Sequence, residues 1–152
     1  MFHAVSAGPA RVPAAAATRA ALRHVPCNSE RHPMAYTEKF QQLADAARAR
    51  VQEVSPSEVD ALMAAGAIAL DIRDKEEHEV DHIPGSLHVS RGKLEMNVES
   101  VIPDLEATVL CYCNAYNRGA LAADTLRAMG YRNVKLIAGG LKAYRASAGD
   151  RR

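Results

Sequence analysis

The stretch VLCYCNAYNRGALAAD, residues 109–124, ends an apolar run on a cysteine and follows it five residues later with an arginine. Cysteine reacts as its thiolate, which is stabilised where amide N–H groups, a helix N-terminus or a fixed cation face the sulfur. The neighbourhood of Cys113 offers all three. A short turn between a strand and a helix aims successive N–H groups inward as an anion nest. The helix that follows adds the positive end of its dipole. Arg118 contributes a permanent charge, with a planar fork suited to an oxyanion such as a sulfonate. No histidine lies close to Cys113 in sequence, so the pattern points to activation by field and not by a neighbouring base. Asn114, Ala115, Tyr116, Asn117 and Arg118 are the candidate walls of the cradle.

Such a loop needs a strand to deliver the cysteine and a helix to receive the arginine. ATVLCYC, residues 107–113, reads as the strand, and residues 119–129 as a helix stopped by Gly130. Upstream, Phe40, Leu43, Ala44, Ala47 and Val51 recur at helical spacing, predicting an amphipathic helix over 38–50 capped by Thr37. A short strand at 51–54 leads into Ser55-Pro56-Ser57-Glu58, a capping box opening a helix that ends before Gly66. AIALDI (67–72) is an apolar run of buried-strand length, KEEHEV a short helix, SLHVS a strand and KLEMNVESVI a helix. VKLIA and GLKAYRAS supply the last strand and helix. Strands alternating with helices over short connections imply parallel β-α-β units, with helices on both faces of the sheet. Ligands of such sheets bind beyond the carboxyl ends of the strands, where Cys113 sits.

At 152 residues the chain is long enough for one domain with a real core. A formal net charge of +1 gives no global field for nucleic acid or an acidic membrane. No apolar stretch approaches the ~18 residues that span a bilayer. Three cysteines, an odd number, suit a reducing compartment with a working thiol better than a disulfide scaffold. Residues 1–33 are rich in alanine and arginine, lack lysine and hold one acid, Glu30. They read as a disordered tail or an extension upstream of a natural start at Met34, with Cys27 an incidental thiol. The cytoplasm is then the expected location. A transit-peptide reading would instead place the protein in an organellar matrix. The expected organisation is this tail, a leading helical segment over 37–51 and a domain over 52–149.

From about Val54 to Gly149 the sequence resembles the rhodanese-like sulfurtransferase family. LDIRDKEEHEVDHIPGSLHVSRGKLE is similar to that family's D-x-R…E…G-H-I-P-G-A stretch. VLCYCNAYNRGALAADTLRAMGYRNVKLIAGGLKAY is similar to its C-x-x-x-x-R loop, helix, G-Y-x-N-V strand and G-G-x-x-x-W ending. The resemblance implies a three-layer α/β fold around a parallel five-stranded sheet. It also implies that Cys113 is a nucleophile carrying sulfane sulfur as a persulfide, that residues 114–118 cradle it, and that Asp71 and Arg73 brace the loop. The donor would be thiosulfate or a low-molecular-weight persulfide, and the acceptor a thiol or protein thiolate. Neither a cofactor nor a metal enters this reading. The departures are Tyr116 where the family has glycine, Gly119 after the arginine, Tyr144 for tryptophan, and Asp81 before His82. Tyr116 is expected to set its ring at the pocket mouth.

Other readings of the same residues stand beside this one. A cysteine phosphatase or arsenate reductase also pairs a cysteine with an arginine in a loop, but needs five intervening residues where this loop has four. A non-catalytic binding module is the alternative that Tyr116 favours. Cys111 lies two residues deeper on the same face and reads as core. Cys111 and Cys113 with His78, His82 and His88 lack a four-ligand set of zinc spacing, and the histidines read as surface or hydrogen-bonded residues. DKEEHEVD reads as a solvated helix face. Arg91 and Lys93 read as surface cations or as guides for an anion.

Overall fold

A computed structural model describes residues 36–148 together with Gly8 and Ala10; Cys27, Met34 and the other residues outside that range are not described. Five strands form one sheet: β1 (Gln52–Val54), β2 (Ile68–Asp71), β3 (Leu87–His88), β4 (Thr108–Tyr112) and β5 (Asn133–Ile137). They lie in the order β1-β5-β4-β2-β3, and every neighbouring pair is parallel. The helices are α1 (Glu38–Arg50), α2 (Val59–Ala64), α3 (Lys75–Val80), α4 (Leu94–Val101), α5 (Asn117–Ala128) and α6 (Gly140–Ala148).

Strand alternation divides the core into two layers. Val109, Cys111 and Cys113 pack with Ala47, Ala120, Ala123 and Leu126 on one face. Leu110 and Tyr112 pack with Val59, Ile83, Leu141 and Tyr144 on the other. Tyr144, in the place of the family tryptophan, donates its hydroxyl to Asp60 at 2.7 Å. The SLHVS strand shrinks to two residues at the sheet edge, with Leu87 exposed.

Helix α1 begins where its cap predicts, with the Thr37 hydroxyl accepting from the Phe40 amide at 3.3 Å. Its buried stripe is narrower than expected: Ala44 and Ala47 are buried, but Leu43 is 62% exposed. Two small residues let α1 settle closely on α5, which turns Gln41 and Arg48 toward that helix and leaves Leu43 outside. A bidentate ion pair from Arg50 to Asp124, 2.7 and 3.0 Å, closes the lower end of this contact.

Two glycines bring backbone against backbone beside Cys113. A Cβ on Gly119 would stand 2.9 Å from Leu136 Cδ1 and 3.3 Å from the Cys113 amide nitrogen, so α5 crosses β4 and β5 only because none is there. Gly140 has φ +61°, and a Cβ there would lie 2.3 Å from the Cys113 carbonyl oxygen and 2.4 Å from that of Ala115. Strain and collision act together at that position. Gly140→Ala is expected to destabilise the protein by at least ~2 kcal/mol in denaturant melts. Gly92→Ala, with nothing within 4 Å of its Cβ position, should stay within ~0.5 kcal/mol. Equal effects at the two sites would contradict this packing.

Candidate functional site

Cys113 follows the last residue of β4 and is 3% exposed. Its carbonyl accepts from the Leu141 amide at 2.8 Å and that of Asn114 from the Lys142 amide at 3.2 Å, both in the first turn of α6. Across a planar trans peptide the C=O and the next N–H point in opposite directions. Drawing these carbonyls to α6 therefore turns the Asn114 and Ala115 amides to the other side. Among the described residues, nothing accepts from the amides of Ala115 to Gly119. This is a nest at a helix N-terminus, built for an anion.

The recess it borders holds about 80 Å³ and is lined by Tyr36, Cys113, Asn114, Ala115, Tyr116, Asn117 and Arg118. Wider recesses open elsewhere, one of about 420 Å³ beside Lys75, His88 and Lys93. Size does not locate the chemistry here, because the larger space holds no cysteine and no row of amides without acceptors among the described residues. All five expected cradle residues are thus brought together, and Tyr36 joins them without any signal in the local sequence. Its ring is 62% exposed and meets Phe40 edge-on, with centroids 5.3 Å apart.

Two expectations need correction. Helix α5 starts at Asn117, not Gly119, so Arg118 lies in its first turn and the loop proper is residues 114–116. The Asn117 side chain is buried and exchanges amide bonds with Gln41, which lets the helix begin two residues early. Tyr116, expected at the pocket mouth, lines the recess with an ordinary backbone, φ −144° and ψ −21°. Its ring leans on α1 under Arg48, whose guanidinium is 4.4 Å from the ring centroid, and its phenol is anchored there. The second correction concerns DKEEHEVD, which is not a solvated face throughout. Glu77 accepts a full fork from Arg118, at 2.7 and 2.9 Å, and the Asn114 amide at 3.1 Å. It also accepts from the Asp74 N–H at 3.0 Å as the N3 residue of a capping box. Arg118 is therefore already paired beside the cradle.

Asp71 and Arg73 are buried and joined by two parallel bonds of 2.7 and 2.9 Å. Burial would raise the Asp71 pKa, but hydrogen bonds from Arg73 and His78 outweigh it and hold the carboxyl below its usual range. Arg73 also donates to Asn114 Oδ1 at 3.0 Å and to the Asp81 carbonyl at 2.6 Å. The Asn114 amide is thus fixed with its oxygen on Arg73 and its nitrogen on Glu77. Of the histidines, His78 bonds to Asp71 at 2.9 Å, His82 to the His78 carbonyl and His88 to the Arg73 carbonyl, each at 2.7 Å. Among the described residues no group of three or more His, Cys, Asp or Glu side chains is placed to hold a metal. Arg91 is engaged by Glu95 and Thr125, and Lys93 lines the separate wider recess. Cys111 is fully buried, and burial, with Cys113 beside it, pushes its thiol up to about 12. It is inert at neutral pH.

The family model of the rhodanese-like domain matches residues 55–147. Over 96 residues the chain is 32% identical to the thiosulfate sulfurtransferase GlpE of Pseudomonas entomophila, covering 63% of this chain and 86% of that one. A human single-domain sulfurtransferase is 27% identical with a TM-score of 0.57, covering 62% of this chain and 95% of its own. A Rhodopseudomonas palustris protein of unknown function, described as a possible tyrosine phosphatase, is 30% identical with a TM-score of 0.66, covering 76% and 96%.

The hydrogen bonds from Arg118 hold the Glu77 carboxyl down to about 2. A carboxyl depressed on folding stabilises the protein above its unfolded pKa, and that contribution is lost as pH falls through the folded value. Glu77→Gln should therefore melt below the parent at pH 7, with the difference closing between pH ~4.5 and ~2. A difference that does not change with pH would mean that the ion pair is not its source.

Proposed function

The chain belongs to the rhodanese-like domain family, and from that premise we propose that it is a sulfurtransferase carrying sulfane sulfur on Cys113. The observation supporting this most directly is a single cysteine at a strand end, facing a recess of about 80 Å³ beside amides without acceptors. That volume suits a few heavy atoms. No helix among the described residues is long and apolar enough to cross a membrane.

The Cys113 thiolate attacks the outer sulfur of a donor such as thiosulfate or a small persulfide. A new S–S bond forms while the donor's own bond to that sulfur breaks, and sulfite or a thiolate leaves with the electron pair. The resulting persulfide lies in the nest, where the helix N-terminus and amide dipoles stabilise its charge. An acceptor thiolate then attacks the outer sulfur and restores the Cys113 thiolate. Both leaving groups are stable anions, so neither step needs a general acid, and the sequence is ping-pong. Asn114 to Asn117 wall the recess, and Arg118 orients an anionic donor in exchange with Glu77. Asp71 and Arg73 act one step removed, by fixing Asn114. A free cysteine as the working group suits a reducing cytoplasm. A phosphatase reading gains nothing from a loop one residue short of ringing a tetrahedral oxyanion.

Treatment with thiosulfate or glutathione persulfide should add one labile sulfur to Cys113 and none to Cys111, by peptide mass spectrometry. Label on Cys111 with Cys113 unmodified would sink the assignment. Arg118→Ala should lower kcat/KM for thiosulfate ~10- to 100-fold, the effect of losing one charge-assisted contact. Lysine at that position should rescue only in part, since it lacks the fork. Unchanged kinetics would reduce Arg118 to a partner of Glu77.

A further inference from the structure

Helix α1 ends at Arg50, before the family match begins at residue 55. It nevertheless reaches the cradle. Gln41 Nε2 donates to the Tyr116 hydroxyl at 2.7 Å and to Asn117 Oδ1 at 3.3 Å, while Asn117 Nδ2 donates back to Gln41 Oε1 at 3.3 Å. The Tyr116 hydroxyl in turn donates to Asp45 Oδ1 at 2.8 Å.

These contacts fall where the loop has least support of its own. Its first half is fixed by the carbonyl bonds from Cys113 and Asn114 to α6. Tyr116, the last loop residue, and Asn117, the first of α5, have amides with no acceptor among the described residues, so backbone bonding reaches them through their carbonyls alone. The backbone bond there runs from the Ala120 amide to the Tyr116 carbonyl at 2.7 Å. Side chains from α1 supply the missing restraint, and Tyr116, where the family loop has glycine, is the handle they grip. Resting on the sulfurtransferase reading of Cys113, we propose that Gln41 and Asp45 are positioning residues for sulfur transfer: through Tyr116 and Asn117 they hold the amide row in its transfer-competent arrangement. The functional unit then begins at α1. A displacement of about 1 Å in such an array is enough to cost ~100-fold in rate.

The test uses the full chain with Gln41→Ala, Tyr116→Phe, their combination, and Asp45→Ala, which removes the acceptor of the Tyr116 hydroxyl. Measurements are kcat and KM with thiosulfate, the rate of Cys113 alkylation by iodoacetamide read by peptide mass spectrometry, and melting temperature. Gln41→Ala and Tyr116→Phe should each lower kcat and the alkylation rate about tenfold, with KM changed less than kcat. The combination should be little worse than either alone, since both remove one shared bond, and Asp45→Ala should lower kcat and the alkylation rate several-fold, as Tyr116→Phe does. Tyr116→Phe removes a partly exposed hydroxyl and leaves the ring in place, so it remains informative if Gln41→Ala folds poorly. Lower melting temperatures with unchanged kcat and alkylation would overturn the proposal, as would additive losses. A parent that transfers no sulfur would overturn the reading of Cys113 instead, and the alkylation rates would still judge α1.

Discussion

Two hydrogen bonds, from the Leu141 and Lys142 amides to the carbonyls of Cys113 and Asn114, set the orientation of everything around the thiol. They exist because β5 lies beside β4 in the sheet, so the helix after β5 starts next to the loop after β4. They also need Gly140, whose missing side chain lets the two backbones meet. Once the carbonyls are committed to α6, peptide planarity leaves the next amides facing the opposite way. The direction of the first amides of the nest, those of Asn114 and Ala115, is thus a consequence of strand order and one glycine. That first turn makes no demand on the side chain at Tyr116, whose φ of −144° does not call for glycine.

Charge around this nest is arranged in alternation. Asp71 holds Arg73, Arg73 holds the Asn114 oxygen, and the Asn114 nitrogen meets Glu77, which holds Arg118. Each ionised group has an opposite partner, as burial demands: one left uncompensated costs several kcal/mol. With Arg118 neutralised by Glu77, the attraction felt by a sulfur anion comes first from amide dipoles, which cannot be titrated away. Arg118 becomes available to a donor only by sharing or exchanging Glu77. On the proposed sulfur-transfer reading, the site suits one added sulfur on Cys113 better than a free dianion, and a donor's remaining charge must be met at the mouth.

The residues legible in the sequence are those whose signals are local. The apolar runs gave β2, β4 and β5, and the position of Cys113 followed from strand and helix punctuation. What sequence reasoning missed depends on partners far along the chain. Glu77 looks like any acid in a charged run, because its reason to turn inward is Arg118, 41 residues later. The early start of α5 rests on Gln41, 76 residues from Asn117. Leu43 fits a helical stripe by spacing, yet two alanines bring α1 so close to α5 that the stripe shifts and leaves it outside. Local periodicity finds an element. It does not find which face wins when two helices crowd together.

Both faces of β4 serve the same residue. Toward α5 the strand sends Cys111 and Cys113, one sealed in the core and the other at the nest. Toward α6 it sends Tyr112, whose hydroxyl accepts from the Ile83 amide at 3.1 Å and bonds with Ser86 at 2.8 Å. That pins the loop after α3, and Asp81 just before it offers its carbonyl to Arg73. Arg73, held from this side and by Asp71, then fixes Asn114. Asn114, which follows Cys113, is thus restrained through backbone from α6 and through side chains from Arg73 and Glu77. Any packing change at Tyr112 reaches the cradle by this route without touching the thiol, so the rigidity of the nest belongs to the strand as a whole.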